Sequence, residues 1–223
     1  MTAVVIGARG GIGAALVAAL RDEGEEVLAF ARPELDILDE ASIARAAARV
    51  ASGPPPRLVI VATGLLHDAA RGPEKSLRDL DGDWLGRVIA VNAIGPALVA
   101  KHFLPLLPKG ERSVFAALSA RVGSISDNRL GGWYGYRAGK AALNQLIRTL
   151  SIEMKRLNDR AILVGLHPGT VATGLSAPFQ KNVAPGQLFD PARAAVQLLD
   201  VIDALGIKDS GNLIAWDGET IAP

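Results

Sequence analysis

Ala3-Val4-Val5-Ile6-Gly7-Ala8-Arg9-Gly10-Gly11-Ile12-Gly13-Ala14-Ala15-Leu16 is the stretch whose reading decides the fold class. Residues 3–6 form a short, largely β-branched run that ends at glycine. Residues 12–20 have the Ala and Leu richness of a helix packed on a sheet. The chain therefore opens as strand, tight turn, helix, which is the start of a βαβ unit. Within the turn, glycine permits positive φ and lets the backbone and helix N-terminus approach a pyrophosphate without a Cβ in the way. Gly7, Gly10, Gly11 and Gly13, with Arg9 and Ile12 between them, are thus candidate cofactor-binding residues. Their spacing is not GxGxxG, and a purely structural tight turn would use glycine as well.

Outward from this unit, strands are expected at 27–31, 58–62, 113–118, 161–166 and 212–215. Helices are expected at 41–50, 85–103, 133–157 and 191–204. Alternation this regular implies a single α/β domain spanning 1–223, a Rossmann-type doubly wound fold. Its mainly parallel sheet is covered on both faces and places ligands at the carboxyl ends of its strands. Only Pro33-Glu34-Leu35 separates Arg32 from Asp36. A parallel crossover needs a dozen or more residues, so the sheet edge is predicted to be trimmed after the second strand.

Composition narrows the function classes. The chain has 223 residues, 49% of them apolar, enough for a substantial core in one domain. Its 24 basic and 23 acidic residues are interspersed, so no basic stripe proposes nucleic acid or an anionic membrane as partner. Absence of cysteine removes disulfides, thiolate metal sites and cysteine nucleophiles, and is compatible with a reducing, cytoplasmic setting. No basic flank precedes Val4-Val5-Ile6, unlike a signal peptide, and no segment is expected to approach a membrane span. His67, His102 and His167 lie far apart without metal-ligand spacing, so no metal is expected. Both His67 and His167 fall at strand ends near the ligand side. Neither a GxSxG elbow nor a P-loop lysine is present.

The second strand ends Phe30-Ala31-Arg32, with no carboxylate for ribose hydroxyls. Arg32, with Arg9, favours a 2′-phosphate and hence NADP over NAD, although arginines at a sheet edge are also simply solvated. Tyr136-Arg137-Ala138-Gly139-Lys140 places a tyrosine and a lysine four apart near the start of a helix, on one face. Reducing a carbonyl needs a proton donor at the nascent alkoxide, and a neighbouring ammonium lowers a phenol pKa toward working pH. Tyr134 lacks a lysine four residues on and reads as packing.

Taken together, GARGGIG, with Gly7, Gly11 and Gly13, and the YRAGK segment resemble the short-chain dehydrogenase/reductase family. The resemblance runs through nearly the whole chain in family order. It is finest with the short, C-factor-like members, through Leu65-Leu66-His67 and Ser119-Ala120-Arg121-Val122-Gly123-Ser124-Ile125. It implies an NAD(P)(H)-dependent oxidoreductase acting on a small-molecule alcohol or carbonyl, with Tyr136 as general acid/base, Lys140 tuning it and holding ribose, and Asn92 in a proton relay. Asp36 and Ile37 match the acidic-apolar pair at the adenine. Ala62-Thr63-Gly64 stands where the family usually has Asn-Ala-Gly. His167-Pro168-Gly169-Thr170-Val171-Ala172-Thr173 resembles PGxVxT, placing Pro168, Gly169, Val171 and Thr173 at the cofactor.

The family's catalytic serine lies three residues before a glycine, a slot held here by Ala120 with Ser119 beside it. Either the strand end twists enough for Ser119 to serve, or Ser124 or a water substitutes, or catalysis is weak. Residues 172–188 are expected to form the substrate lid, with Leu175, Phe179, Leu188 and Trp133 making a small apolar pocket. A homodimer or homotetramer through the two long helices is also implied. The competing reading is a dinucleotide-binding regulatory or signalling protein with little turnover, for which Ala120 is the best argument.

Overall fold

Largely apolar runs at β1 (Thr2–Ile6), β3 (Leu58–Val61), β4 (Ser113–Leu118) and β5 (Ala161–His167) form the buried centre of a seven-stranded sheet in the computed structural model, which describes residues 2–223 apart from the side chain of Asn182. The strand order is β2-β1-β3-β4-β5-β8-β9, with β2 at Glu26–Phe30, β8 at Leu213–Ala215 and β9 at Thr220–Ile221. All pairings in it are parallel except β8 with β9. Side chains alternate between two helical layers, as the period of two along a strand requires. Val4, Val59 and Phe115 join Ile43 of α2 (Glu40–Ala51), Val99 and Phe103 of α4 (Gly95–Phe103) and Leu143 of α5 (Tyr134–Leu157). Val5, Ile60 and Ala116 instead join Leu16 of α1 (Gly11–Asp22) and Leu198 of α6 (Pro191–Ala204).

The trimmed edge is present. After β2 the chain forms turns rather than a helix and strand, and Leu35 and Ile37 turn inward to seal the core beside α2. Asp39 caps α2 by accepting from the Ala41 N–H at 3.0 Å. The expected helix at 85–103 is longer and irregular: α3 (Gly82–Ile89) runs through a π-helical turn at Ala90–Ile94 into α4. With one more 3₁₀ turn, Gly82–Leu106 is long and apolar enough to cross a membrane by length and composition, contrary to expectation. Half of its most apolar window is buried in the fold, because these residues pack on the sheet as a core helix does. Two further features had no sequence signal: β9, and a ladder of two two-residue strands, β6 (Thr170–Val171) and β7 (Leu188–Phe189).

Candidate active site

A cleft lies at the carboxyl ends of β1, β3, β4 and β5, as two adjoining cavities of about 530 and 430 Å³. Both cavities share Arg9, Gly10, Ala62, Thr63 and Gly64, so one elongated ligand can occupy them together. The glycine turn forms the shared wall. Gly7 has φ +88°, and a Cβ on it would stand 2.7 Å from the Ala62 carbonyl oxygen. A Cβ on Gly13 would stand 2.2 Å from the Gly7 carbonyl oxygen, too close for any side chain. Helix α1 starts there without a side-chain cap or a first-turn acid. Its first i to i−4 bond is Ala14 N–H to Gly10 O, leaving the earlier amides for a ligand. Bare amides at the positive end of a helix suit a phosphate. Thr63 Oγ1 is buried in the same wall without a partner, an unmet hydrogen-bonding group of the kind a bound ligand satisfies.

The larger cavity is lined by Arg32, Asp36 and Ile37, and also by Leu35, Leu65, Arg87 and Val91, which sequence reading did not single out. Arg9 Nη1 donates to the Arg32 carbonyl oxygen at 2.9 Å, bringing both exposed guanidinium-bearing residues to one mouth. The residues present therefore fit a dinucleotide with an extra phosphate near this edge.

Tyr136 and Lys140, one turn apart on the buried face of α5, line the smaller cavity. Lys140 Nζ donates to the Leu118 carbonyl oxygen at 2.7 Å and lies 5.6 Å from the centre of the Tyr136 ring. Burial pushes the Lys140 ammonium down to about 7 and the Tyr136 phenol up to about 12. The expected lowering of the phenol is not found, because desolvation dominates both groups. Tyr136 is consequently a protonated phenol at neutral pH. Asn92 is fully buried in the π-helical turn. Its amide donates to Leu65 O at 2.7 Å and Val88 O at 2.9 Å, while its Oδ1 accepts from Leu65 N–H. Asn92 thus pins the loop after β3 against the cleft, and Gly64 would bring a Cβ to 3.5 Å from its Oδ1.

At the end of β4, Ser119 and not Ala120 lines the cleft. Ser119 Oγ donates to Asn144 Oδ1 at 2.7 Å. Ser124 is buried outside the lining, with its Oγ accepting from Asp127 N–H at 3.1 Å. Tyr134, read as packing, is 38% exposed, because it precedes the buried face of α5.

Of the Pro-Gly segment, Pro168 and Thr173 line the smaller cavity. Val171 instead packs with Phe189 and Ala194, and a Cβ on Gly169 would face Phe189 and Trp216. A Cβ on Gly11 would meet Thr173 Cγ2 at 2.6 Å, so the segment closes directly onto the glycine turn. Leu175 lines the cleft, whereas Leu188 is exposed on the two-residue ladder, away from it. Phe179 and Trp133 pack against each other as a tilted pair, 4.9 Å between ring centres, rather than lining the cavity, and Trp133 also meets Tyr136 edge-on at 6.3 Å.

Sequence reading set His67 and His167 at strand ends near the ligand side without giving them a task there, and missed Glu74. His67 Nε2 lies 3.2 and 3.1 Å from the Gly174 and Leu175 carbonyl oxygens, so that nitrogen carries the hydrogen. Buried Glu74 accepts the Gly135 N–H with Oε2 at 3.2 Å and the Trp133 N–H with its main-chain oxygen. It thereby caps α5, whose own N-cap, Trp133, has φ 54° and offers no side-chain cap. His167 is half-buried beside the site, and its buried Nδ1 has no partner among the described residues. Burial, reinforced by Arg121, pushes it down to about 4.

Residues 15–190 match a family model described as enoyl-(acyl carrier protein) reductase. A 1-hydroxy-2-glutathionyl-2-methyl-3-butene dehydrogenase from Rhodococcus sp. (strain AD45) is 30% identical, with 97% of each chain covered. The chain belongs to the short-chain dehydrogenase/reductase family. C-signal of Myxococcus xanthus is 34% identical over 66% of this chain and 82% of its own length, which carries the likeness to the short C-factor-like members of the family. Among solved structures, an NADPH-bound carbonyl reductase from chicken fatty liver superposes with a TM-score of 0.86 at 26% identity, covering 100% of this chain and 98% of its own. This family member has the Rossmann-type fold of its relatives and is an NAD(P)(H)-dependent oxidoreductase.

Proposed function

We propose that this short-chain dehydrogenase/reductase binds NADP(H) and interconverts an alcohol/carbonyl pair on a small to medium apolar substrate, working as a carbonyl reductase. The observation that carries the reading is the placement of buried Tyr136 and Lys140 in one cavity with Gly10, Gly11 and Ile12 of the glycine turn. The NADPH-bound carbonyl reductase that superposes on the chain supports the same cofactor and direction. When bound, NADP(H) supplies or accepts the hydride. The amides at the start of α1, with Gly7, Gly10, Gly11, Ile12 and Gly13, hold the pyrophosphate, and Asp36 and Ile37 hold the adenine. Arg32 and Arg9 bind the 2′-phosphate, which carries the preference for NADP over NAD.

Tyr136, protonated at neutral pH, gives its proton to the nascent alkoxide oxygen. Lys140 holds the nicotinamide ribose hydroxyls and returns a proton through them, which suits an amine brought to about 7. Asn92 fixes the loop along which that proton leaves. Pro168 and Thr173 seat the carboxamide end, Val171 and Gly169 shape the turn behind them, and residues 172–188 form the lid. Tied down by His67 and by Phe179 on Trp133, the lid keeps water from the reacting centre. The reading extends to a cytoplasmic homodimer or homotetramer joined through the long helices, with no nucleic-acid or membrane partner.

The test is to titrate NADPH and NADH into the protein and then follow oxidation of the bound cofactor by a panel of aldehydes, ketones and quinones. Tighter NADPH binding with carbonyl-dependent oxidation is expected. Tight binding without turnover on any substrate would favour a regulatory dinucleotide binder, and no binding of either nucleotide would overturn both readings.

A further inference from the structure

Carbonyl reduction at this cleft calls for a second hydrogen-bond donor beside Tyr136, aimed at the oxygen where negative charge develops. Ala120 has no donor side chain, and Ser124 is buried outside the cleft. Ser119 lines the cleft, its strand end fixed by a 2.7 Å bond from its N–H to the Leu166 carbonyl oxygen. Its hydroxyl, however, donates to Asn144 Oδ1. A serine hydroxyl has a single proton. While that proton is held by Asn144, Ser119 offers a substrate oxygen only lone pairs.

Asn144 follows Tyr136 and Lys140 at successive four-residue steps along α5. Two glycines clear the slot in which its amide lies. A Cβ on Gly165 of β5 would stand 3.4 Å from Oδ1, and one on Gly123 would stand 3.0 Å from Nδ2 and 2.8 Å from Lys140 Cβ. Among the described residues, Ser119 is the one hydrogen-bond partner of this side chain. An amide has two unlike ends: turned over, it presents Nδ2 to Ser119 Oγ as a donor and releases the hydroxyl proton toward the cleft.

We infer that Asn144 is a positioning residue that acts through Ser119, deciding whether the Ser119 proton is held back or delivered to the reacting carbonyl oxygen. The inference rests on the proposed oxidoreductase reading. During reduction, hydride adds to the carbonyl carbon, the C=O π pair moves onto oxygen, and that oxygen takes the Tyr136 proton. Ser119 lends a hydrogen bond and keeps its proton. Asn144 exchanges an accepting end for a donating one, so no bond is made or broken there.

The experiment compares kcat/KM for NADPH-dependent carbonyl reduction, with NADPH Kd as the control for folding, in Ser119→Ala, Asn144→Asp, Asn144→Ala and the double variant S119A/N144D. Aspartate keeps the shape of asparagine, but both its oxygens accept, so the Ser119 proton stays locked. Ser119→Ala and Asn144→Asp are each expected to lower kcat/KM about 100-fold with Kd unchanged. The double variant should lose no more than either single one. Asn144→Ala, which frees the proton, should lose less than Asn144→Asp. Acidification should restore Asn144→Asp but not Ser119→Ala, since a protonated carboxyl can donate. The titratable groups around that position are Lys140 one turn earlier, His167 on the Gly165 side and Arg121 in the turn of Gly123.

Wild-type kcat/KM in Asn144→Asp, multiplying losses in the double variant, or a larger loss in Asn144→Ala than in Asn144→Asp would overturn the inference. Recovery of S119A by adding Ala120→Ser, with Asn144→Asp silent, would place the donor at position 120 instead. If Tyr136→Phe keeps full turnover, the oxidoreductase reading at this site has failed, whatever Ser119 does.

Discussion

The two ends of the cleft are built from different materials. At the dinucleotide end the binding surface is mostly backbone: helix amides, a turn at Gly7 with φ +88°, and contacts so close that Gly7 and Gly13 leave no room for a Cβ. At the substrate end it is side chains, and their use depends on orientation: Ser119 toward Asn144, Lys140 toward Leu118 O, His67 toward the lid carbonyls. Backbone sites tolerate almost no substitution, whereas side-chain sites can move a function to a neighbouring residue. On the proposed reading, that is how Ser119 takes over from the alanine in the usual serine slot.

The comparison is broken most directly at Gly13. Gly13→Ala drives a Cβ to 2.2 Å from a carbonyl oxygen with no flexible neighbour to yield, so NADPH binding should be lost altogether in a fluorescence titration. Retained micromolar affinity would show that the turn can reshape. A smaller effect is expected for Arg32→Ala, where a charge-assisted phosphate contact is worth ~1.5–3 kcal/mol. NADPH Kd should rise roughly 10- to 100-fold while NADH Kd stays put. Equal losses for both cofactors would refute the 2′-phosphate role.

At the substrate end, His167 sharpens the contrast through pH. Its pKa is held near 4 in the folded state against 6.5 unfolded, so between those values the unfolded chain binds more protons and stability falls as pH falls. Wild type should lose ~3 kcal/mol relative to His167→Gln between pH 6.5 and 4 in chemical denaturation. Parallel pH profiles for the two proteins would mean that His167 is not kept neutral by burial.

The same division explains what was legible in the sequence. Strands β1 to β5, helices α1, α2, α5 and α6 and the trimmed edge follow from periodicity, glycine and a crossover too short for a helix. The Gly7–Gly13 turn was legible because a backbone site advertises itself through glycine. The π-helical turn around Asn92 was not, since one extra residue in a turn shifts the phase of the apolar pattern yet leaves each side of it reading as ordinary helix. The β6–β7 ladder is too short to carry alternation. Nor could spelling say that Ser119 and not Ala120 faces the cleft, because adjacent residues differ only in which way the strand end turns them. Glu74 and Asn144 act across loops distant in sequence, and only tertiary packing reveals them.

The central claim is that Tyr136 protonates a carbonyl oxygen while hydride arrives from NADPH in this cleft. Its most direct test is single-turnover oxidation of bound NADPH by a reactive aldehyde or quinone, in wild type and in Tyr136→Phe. The expected result is a rate lower by roughly 10²–10⁴-fold in the variant with unchanged NADPH Kd. An undiminished rate in Tyr136→Phe would contradict it.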